Sequence, residues 1–161
     1  MHNPRFPNLA GFLACAALLA YAYYAQFHLG LEPCPLCIFQ RIGVIAVGLV
    51  FLVAAIHGAG RTGRRVYAAL LALAAAAGGA VSAWHIHLQN LPPDQVPSCG
   101  PGLDYMLDVF SFGETLRMVF TGSGECAVVD WSFLGLSMPA WVLIAFAALG
   151  IFGAWNNFRR A

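Results

Sequence analysis

The chain has 161 residues, of which 60% are hydrophobic and 9% are charged, and none is a lysine. Soluble domains carry about 25% charged residues, so this composition excludes an ordinary soluble domain and indicates a membrane protein. The formal net charge is +1, and the arginines form no basic patch, so we expect no nucleic-acid partner.

Four apolar stretches are each long enough to cross a bilayer as a helix, which takes roughly 17–25 residues. The links between the first three stretches are short, so neighbouring helices must run antiparallel. We therefore predict an all-α membrane protein, a single transmembrane domain over residues 1–161 built as an antiparallel four-helix bundle. The predicted spans are 9–28, 36–57, 66–86 and 138–158, and the predicted outer loops are 29–35 and 87–137.

Charged residues divide between the two sides of this topology. Basic residues mark the cytoplasmic side of membrane proteins, so the sequence predicts both termini in the cytoplasm and the loop cysteines on the opposite, outer side. The predicted cytoplasmic residues are Arg5, Arg61, Arg64, Arg65, Arg159 and Arg160, and the seven acidic residues on the other side are Glu32, Asp94, Asp104, Asp108, Glu114, Glu125 and Asp130.

A cleaved signal peptide is an alternative interpretation of the N-terminus. Arg5, the apolar run from Leu9 and the small residues of Ala20-Tyr21-Ala22 roughly fit that pattern. Cleavage would leave the arginines after the second span without a basic partner segment at the N-terminal end. We therefore favour an uncleaved first span.

The long outer loop begins with prolines that break helices. Leu103, Met106, Leu107 and Phe110 then repeat at helical spacing, and apolar residues continue to Phe120. This pattern predicts a short amphipathic helix, which either lies in the membrane interface or packs on top of the bundle.

Four of the five cysteines lie on the predicted outer side, which is oxidising in a bacterium. Cys34-Pro35-Leu36-Cys37 opens the second span, with Pro35 suited to the first helical turn. A helix N-terminus stabilises a thiolate, the species that attacks in thiol–disulfide exchange. The outer loop carries Cys99 and Cys126, and Gly122-Ser123-Gly124 predicts a mobile mount for the second of these.

Structural roles are the alternatives for these cysteines. Cys34 and Cys37 could form a structural disulfide or bind zinc, but zinc sites usually have a second compact ligand pair. Cys99 and Cys126 are too far apart in sequence to provide one. Cys15 lies alone among alanines and leucines, where we expect a small buried apolar side chain.

Arg41 and a histidine pair complete the set of candidate residues. Arg41 follows Cys37 by one helical turn and lies on the same face, where it can donate to an anionic or carbonyl oxygen such as that of a quinone, or extend to the membrane surface. His85 and His87 close the third span. Because they are two residues apart on a helix, only one can face the cysteines.

The chain resembles the disulfide bond formation protein B (DsbB) family, bacterial inner-membrane thiol:quinone oxidoreductases. Three motifs in the right order carry the resemblance, which covers essentially the whole chain. They are Pro33-Cys34-Pro35-Leu36-Cys37-Ile38-Phe39-Gln40-Arg41, then His85 with Leu88-Gln89, and Gly124-Glu125-Cys126-Ala127 continuing into Trp131-Ser132-Phe133-Leu134-Gly135-Leu136-Ser137-Met138-Pro139-Ala140-Trp141.

The resemblance implies a relay of four cysteines. Cys99 and Cys126 would oxidise a periplasmic DsbA-like thioredoxin-fold oxidase, with Cys99 forming the mixed disulfide. Cys126 would then exchange with Cys34, which frees Cys37 beside the quinone. The resemblance further implies that Arg41 and His85 contact this quinone, ubiquinone or menaquinone from the membrane pool.

Two other functions are alternatives to this one. Vitamin K epoxide reductase-like proteins are also four-helix thiol–quinone enzymes, but their C-x-x-C is expected near the last helix and not the second. A non-enzymatic membrane scaffold, with structural disulfides or metal-bound cysteines, would leave Arg41 beside the C-x-x-C unexplained.

Overall fold

The computed structural model describes residues 5–98, 100 and 103–159. Cys99, predicted to react with the partner, therefore lies outside the described residues, as does Arg160. The elements in chain order are α1 Arg5–Leu29, α2 Pro35–His57, α3 Arg61–Gln89, α4 Leu103–Val109, α5 Phe112–Thr121, α6 Gly124–Ala127, β1 Ser132–Phe133, β2 Leu136–Ser137 and α7 Met138–Arg159.

Four helices in the described part of the chain are long and apolar enough to cross a membrane, with mean hydropathy from 1.4 to 2.4. They are α1, α2, α3 and α7, and each contains one predicted span. The predicted all-α four-helix membrane bundle is confirmed. One link differs from the prediction, because α3 already begins at Arg61 and the arginines expected in a turn are helical. A helix can extend beyond the bilayer because its backbone hydrogen bonds are made within it.

Two buried clusters hold the bundle together. The inner cluster joins all four long helices around Phe51 and Phe146. There Gly78 permits close approach, since a Cβ atom at this position would overlap the Phe146 ring. The outer cluster consists of Leu36, Leu88, Met106, Val119 and Cys126, and it packs the long loop onto the outer ends of α2 and α3.

The outer loop forms two helices, α4 and α5, where the sequence pattern predicts a single amphipathic helix. The first ends at Val109, and Ser111 caps the second, because its hydroxyl accepts from the Glu114 N–H while the Glu114 carboxylate accepts from the Ser111 N–H. Met106 is buried against the bundle, whereas Leu107 and Phe110 are exposed. The expected apolar face is therefore only partly covered by protein.

A short β-hairpin connects the loop to α7. Ser132 pairs with Ser137 and Phe133 with Leu136. The two turn residues, Leu134 and Gly135, both have positive φ (52° and 78°), as a type I′ turn requires. The Trp141 indole N–H donates to the Phe133 carbonyl at 3.1 Å, which ties the hairpin to α7.

Candidate functional site

The C-x-x-C motif lies at the N-terminus of α2, as the sequence predicts. Pro35 takes the first helical position, where a missing N–H costs nothing. Cys34 is the N-cap, and its sulfur accepts a hydrogen bond from the Cys37 N–H at 3.4 Å. The two Sγ atoms are 3.0 Å apart and both side chains are free thiols. Only about 1 Å separates this pair from the bonding distance of a disulfide.

Cys126 brings a third sulfur to the same helix end. It lies in α6, is only 1% exposed, and packs in the outer cluster with Leu36 of the first turn of α2 and with Cys34. The Ser123 hydroxyl lies 3.5 Å from its sulfur. The hydrogen bond to Cys34, together with burial, raises the pKa of the Cys126 thiol well above its usual range. The glycine-rich mount predicted to be mobile is folded here, because α6 packs Cys126 into the outer cluster.

His85 is the histidine that faces the cysteines. It is 3% exposed, and its Nε2 atom lies 3.8 Å from the Cys34 sulfur. Its Nδ1 atom lies 3.3 Å from the side-chain amide nitrogen of Gln40, which is also buried. His87 points away, is exposed, and packs near Trp84 with ring centroids 5.2 Å apart. The buried amide therefore fixes the orientation of the His85 ring against Cys34.

Arg41 turns from α2 towards α1. One terminal nitrogen donates to the Gln26 side-chain oxygen at 2.6 Å, and the other donates to the Ala22 carbonyl at 3.2 Å. The guanidinium carbon lies 5.0 Å from the centre of the Tyr23 ring, within the range of a cation–π contact. The Arg41 guanidinium is therefore hydrogen-bonded within the protein. The sequence alone also allowed the side chain to extend to the membrane surface.

A cavity of about 610 Å³ connects these groups. This volume lies within the roughly 300–1,000 Å³ range of small-molecule sites. Its walls come from α1, α2, α3, α7 and the loop before the hairpin, and they include Tyr21 and Ile144, which are about half exposed on the outside of the bundle (46% and 47%). Other lining residues are Cys34, Cys37, Gln40, Arg41, His85, Trp131, Met138 and Trp141.

These residues suit an apolar ring with polar oxygens. Aromatic and aliphatic side chains line most of the cavity, while the Arg41 guanidinium supplies donors for a carbonyl oxygen. The chemistry of the residues therefore fits a quinone head group, with the Cys37 thiol in the same wall.

The same residues fit zinc less well. The ligand atoms of Cys34, Cys37 and His85 lie within 4.8 Å of one another. Tetrahedral zinc with sulfur bonds of about 2.3 Å holds two sulfurs about 3.8 Å apart, but here they are 3.0 Å apart. The sulfurs as placed are too close together to share a zinc ion, and their spacing suits a redox pair.

Comparison with known proteins agrees with this geometry. The family model of disulfide bond formation protein DsbB matches residues 4–156. This chain belongs to the DsbB family. A protein named disulfide bond formation protein B from Methylococcus capsulatus is 58% identical over 154 residues, 94% of each chain. Proteins of that name from Nitrosococcus oceani and Stutzerimonas stutzeri are 54% and 50% identical, covering 96% and 98% of this chain and 92% and 97% of their own lengths.

Membership in the DsbB family makes this chain a multi-pass membrane protein of disulfide bond formation, with an oxidoreductase role. It also separates the chain from the vitamin K epoxide reductase-like alternative. The relatives match the chain over nearly its full length, so the family assignment covers the bundle and the cysteine loop together.

The structure brings together five of the six predicted site residues. Cys34, Cys37, His85 and Cys126 meet at the outer ends of α2 and α3, and Arg41 lines the same cavity. The sequence analysis assigned no role to Gln26 or Gln40. Gln40 stood in the quoted motif, and Gln26 is a polar side chain in an apolar span, which is a signal of function or of polar contact.

Proposed function

We propose that this protein is a membrane thiol:quinone oxidoreductase that reoxidises a periplasmic DsbA-like dithiol oxidase and passes the electrons to a membrane quinone. One observation carries the proposal: the Cys34–Cys37 pair contacts Cys126 on one side and lines a cavity with Arg41 on the other. A thiol relay and an electron acceptor site thus share the same two sulfurs.

The orientation proposed for the membrane places both termini in the cytoplasm. Arginines accumulate at the ends of α1, α3 and α7 that lie opposite the cysteines, and the positive-inside rule assigns that side to the cytoplasm. The C-x-x-C and the long loop then face the periplasm, where a soluble thioredoxin-fold partner is available.

The first exchange takes two electrons from the partner. In the proposed starting state, Cys99 and Cys126 form a disulfide. A partner thiolate attacks the Cys99 sulfur and Cys126 leaves as a thiolate. The second partner thiol then attacks the mixed disulfide, which releases Cys99 and leaves the partner oxidised. Gly124 N–H donates to the Ser98 carbonyl at 3.2 Å, so the residue before Cys99 is tied to the helix that carries Cys126.

The second exchange moves the same electrons to the membrane. Cys126 attacks Cys34 in the Cys34–Cys37 disulfide, and Cys37 leaves as a thiolate. Cys99 then attacks the Cys34–Cys126 bond, which restores the loop disulfide and releases Cys34. The contact between Cys126 and Cys34 supports this pairing. The Cys37 N–H donates to the Cys34 sulfur, so the first turn of α2 stabilises negative charge on Cys34 when it is released.

The last step returns the C-x-x-C to its disulfide form. A quinone bound in the cavity would supply the acceptor for the two electrons and two protons that the Cys34 and Cys37 thiols give up, and would leave as the quinol. Cys37 and Arg41 line the same cavity, where Arg41 would donate to a ring oxygen, and His85 lies beside Cys34, where its imidazole can accept the thiol proton. The Gln40 amide keeps that imidazole in place.

Trapping of the mixed disulfide tests this function in cells. With Cys126→Ser, Cys99 stays a free thiol that can attack the disulfide of an oxidised partner, and Cys126 is not there to displace the partner from the resulting mixed disulfide. We therefore expect a disulfide-linked species containing this protein and a thioredoxin-fold oxidase on non-reducing gels. Cys15→Ser is the matched control and should give none. Absence of the species in Cys126→Ser cells, with the protein expressed at normal levels, would contradict the proposal.

A further inference from the structure

We propose that Gln26 of α1 is a positioning residue for quinone reduction, because it holds the Arg41 guanidinium in the orientation that presents its free donors to the cavity. The inference rests on the proposed function and assigns a part of the site to a residue outside the cysteine motifs. Its basis is the contact between α1 and α2 on the wall of the cavity.

Two acceptors one helical turn apart fix the plane of the guanidinium. Ala22 and Gln26 are four residues apart on α1 and therefore lie on the same face. The Ala22 carbonyl accepts from one terminal nitrogen of Arg41 and the Gln26 oxygen accepts from the other, at 3.2 and 2.6 Å. A single hydrogen bond would leave this planar group free to rotate, whereas two bonds to different nitrogens orient it.

The anchored guanidinium retains donors for a ligand. Arginine has five N–H groups in a rigid plane, and the bonds to α1 use two of them. Arg41 lines the cavity together with Cys37. An oxygen acceptor in the cavity can therefore bind the remaining donors while the bonds to α1 persist.

The side chain at position 26 must be an acceptor for this arrangement. An apolar residue here would leave one guanidinium nitrogen in a membrane span without its protein partner, and the arginine would turn towards water or the membrane surface. The Ala22 carbonyl belongs to the backbone and is present in any variant. Gln26 is therefore the part of the anchor that mutation can remove.

The test compares Gln26→Leu with the wild-type protein, using a reduced thioredoxin-fold oxidase and a short-chain ubiquinone. Because the guanidinium loses the hydrogen bond that orients it, we expect the KM for the ubiquinone to rise about tenfold with kcat little changed. Single-turnover oxidation of the partner without quinone should keep its wild-type rate. The visible charge-transfer absorbance that arises between the Cys37 thiolate and a bound quinone should weaken.

Two further variants separate positioning from packing. Gln26→Glu keeps an oxygen acceptor, and arginine remains charged in an ion pair, so it should restore most of the quinone affinity. Leu13→Ala changes another side chain of α1, which is 57% exposed, and should leave the KM unchanged.

A wild-type quinone KM in Gln26→Leu would overturn the inference, as would equal losses in Gln26→Leu and Gln26→Glu. A slowed single turnover without quinone would also overturn it, because Gln26 would then support the fold generally. Failure of the wild-type protein to reduce the ubiquinone is a different result, which contradicts the proposed function itself before any variant is compared.

Discussion

The inner and outer ends of the bundle both bury polar side chains, but they use them differently. At the inner end, Asn157 donates to the Asn8 side-chain oxygen at 3.0 Å and to the Gly153 carbonyl at 2.9 Å. These amides bond α1 to α7 and carry no proton that titrates near neutral pH. At the outer end, the buried groups include the Cys126 thiol and the His85 imidazole, side chains that can take part in thiol exchange and proton transfer.

Cys15 and Cys126 show the same difference between the two ends of the bundle, although they are equally buried. Cys15 and Cys126 are each 1% exposed. Cys15 packs against Gly48 in the apolar inner cluster, whereas Cys126 has the Ser123 hydroxyl 3.5 Å from its sulfur and packs with Leu36 and Cys34 at the start of α2. Burial alone therefore does not distinguish a structural cysteine from a reactive one, and the polar neighbours do.

The largest expected effect separates these two cysteines. Cys126→Ala should reduce partner-dependent quinone reduction to background, because the loop can no longer pass electrons to Cys34. Cys15→Ala should retain near wild-type turnover and cost about 1 kcal/mol of stability. The measurement is steady-state quinone reduction by the two purified variants. Loss of turnover in Cys15→Ala would remove the contrast between the two ends of the bundle.

Arg41 tests the outer site without touching a sulfur. Arg41→His should raise the KM for quinone at least about tenfold, because a charged hydrogen bond worth 1.5–3 kcal/mol is lost. Oxidation of the partner in a single turnover should be unaffected. An unchanged quinone KM would show that Arg41 does not contact the acceptor.

The inner amide network should matter for stability alone. Asn157→Ala leaves the buried Asn8 amide without this partner, which should cost about 1–3 kcal/mol of unfolding free energy. The quinone reduction rate of the folded protein should stay at the wild-type value. Thermal unfolding in detergent measures the change, with Gln95→Ala, at an exposed amide of the outer loop, as the control. Loss of turnover without loss of stability would show that the inner end takes part in the chemistry.

The smallest expected effect concerns how the alkylation rate of the Cys126 thiol depends on pH. Because its hydrogen bond to Cys34 raises the pKa, the reduced folded protein has less Cys126 thiolate at pH 8 than the denatured protein. Its alkylation should therefore accelerate only at higher pH, and the extra stability of the protonated form should be lost as pH rises above about 8.5. Cys34→Ala should move the alkylation midpoint to lower pH, measured by mass spectrometry of the Cys126 peptide. An unmoved midpoint would contradict the assigned cause.

Much of the fold follows from the sequence because its signals are local. Hydropathy over 20 residues defines a span, and charge asymmetry supports the count of four. The Ser111 cap also has a local signature with Glu114, but the amphipathic pattern continued across it, so two loop helices were described as one. The β-hairpin was missed because its strands are two residues long and Leu134 is not a typical residue for positive φ.

The site residues also divide into those with a local sequence signal and those that depend on packing between distant segments. Cys34, Cys37 and Arg41 are recognisable because helical spacing places them on one face of α2. The contacts of Gln26 and Gln40 depend on which helix lies next to them, and no spacing within one helix encodes that. The burial of Cys126 likewise depends on how the long loop folds back on α2, which the glycines before it did not reveal.

The most direct test of the central claim is coupled turnover with purified components. The wild-type protein, a reduced thioredoxin-fold oxidase and ubiquinone are mixed, and partner thiols and quinone absorbance are followed together. The account predicts one quinone reduced for each partner disulfide formed, and no quinone reduction by the Cys34→Ser, Cys37→Ser double variant. Wild-type turnover by that double variant, or partner oxidation over many cycles without quinone consumption, would contradict it.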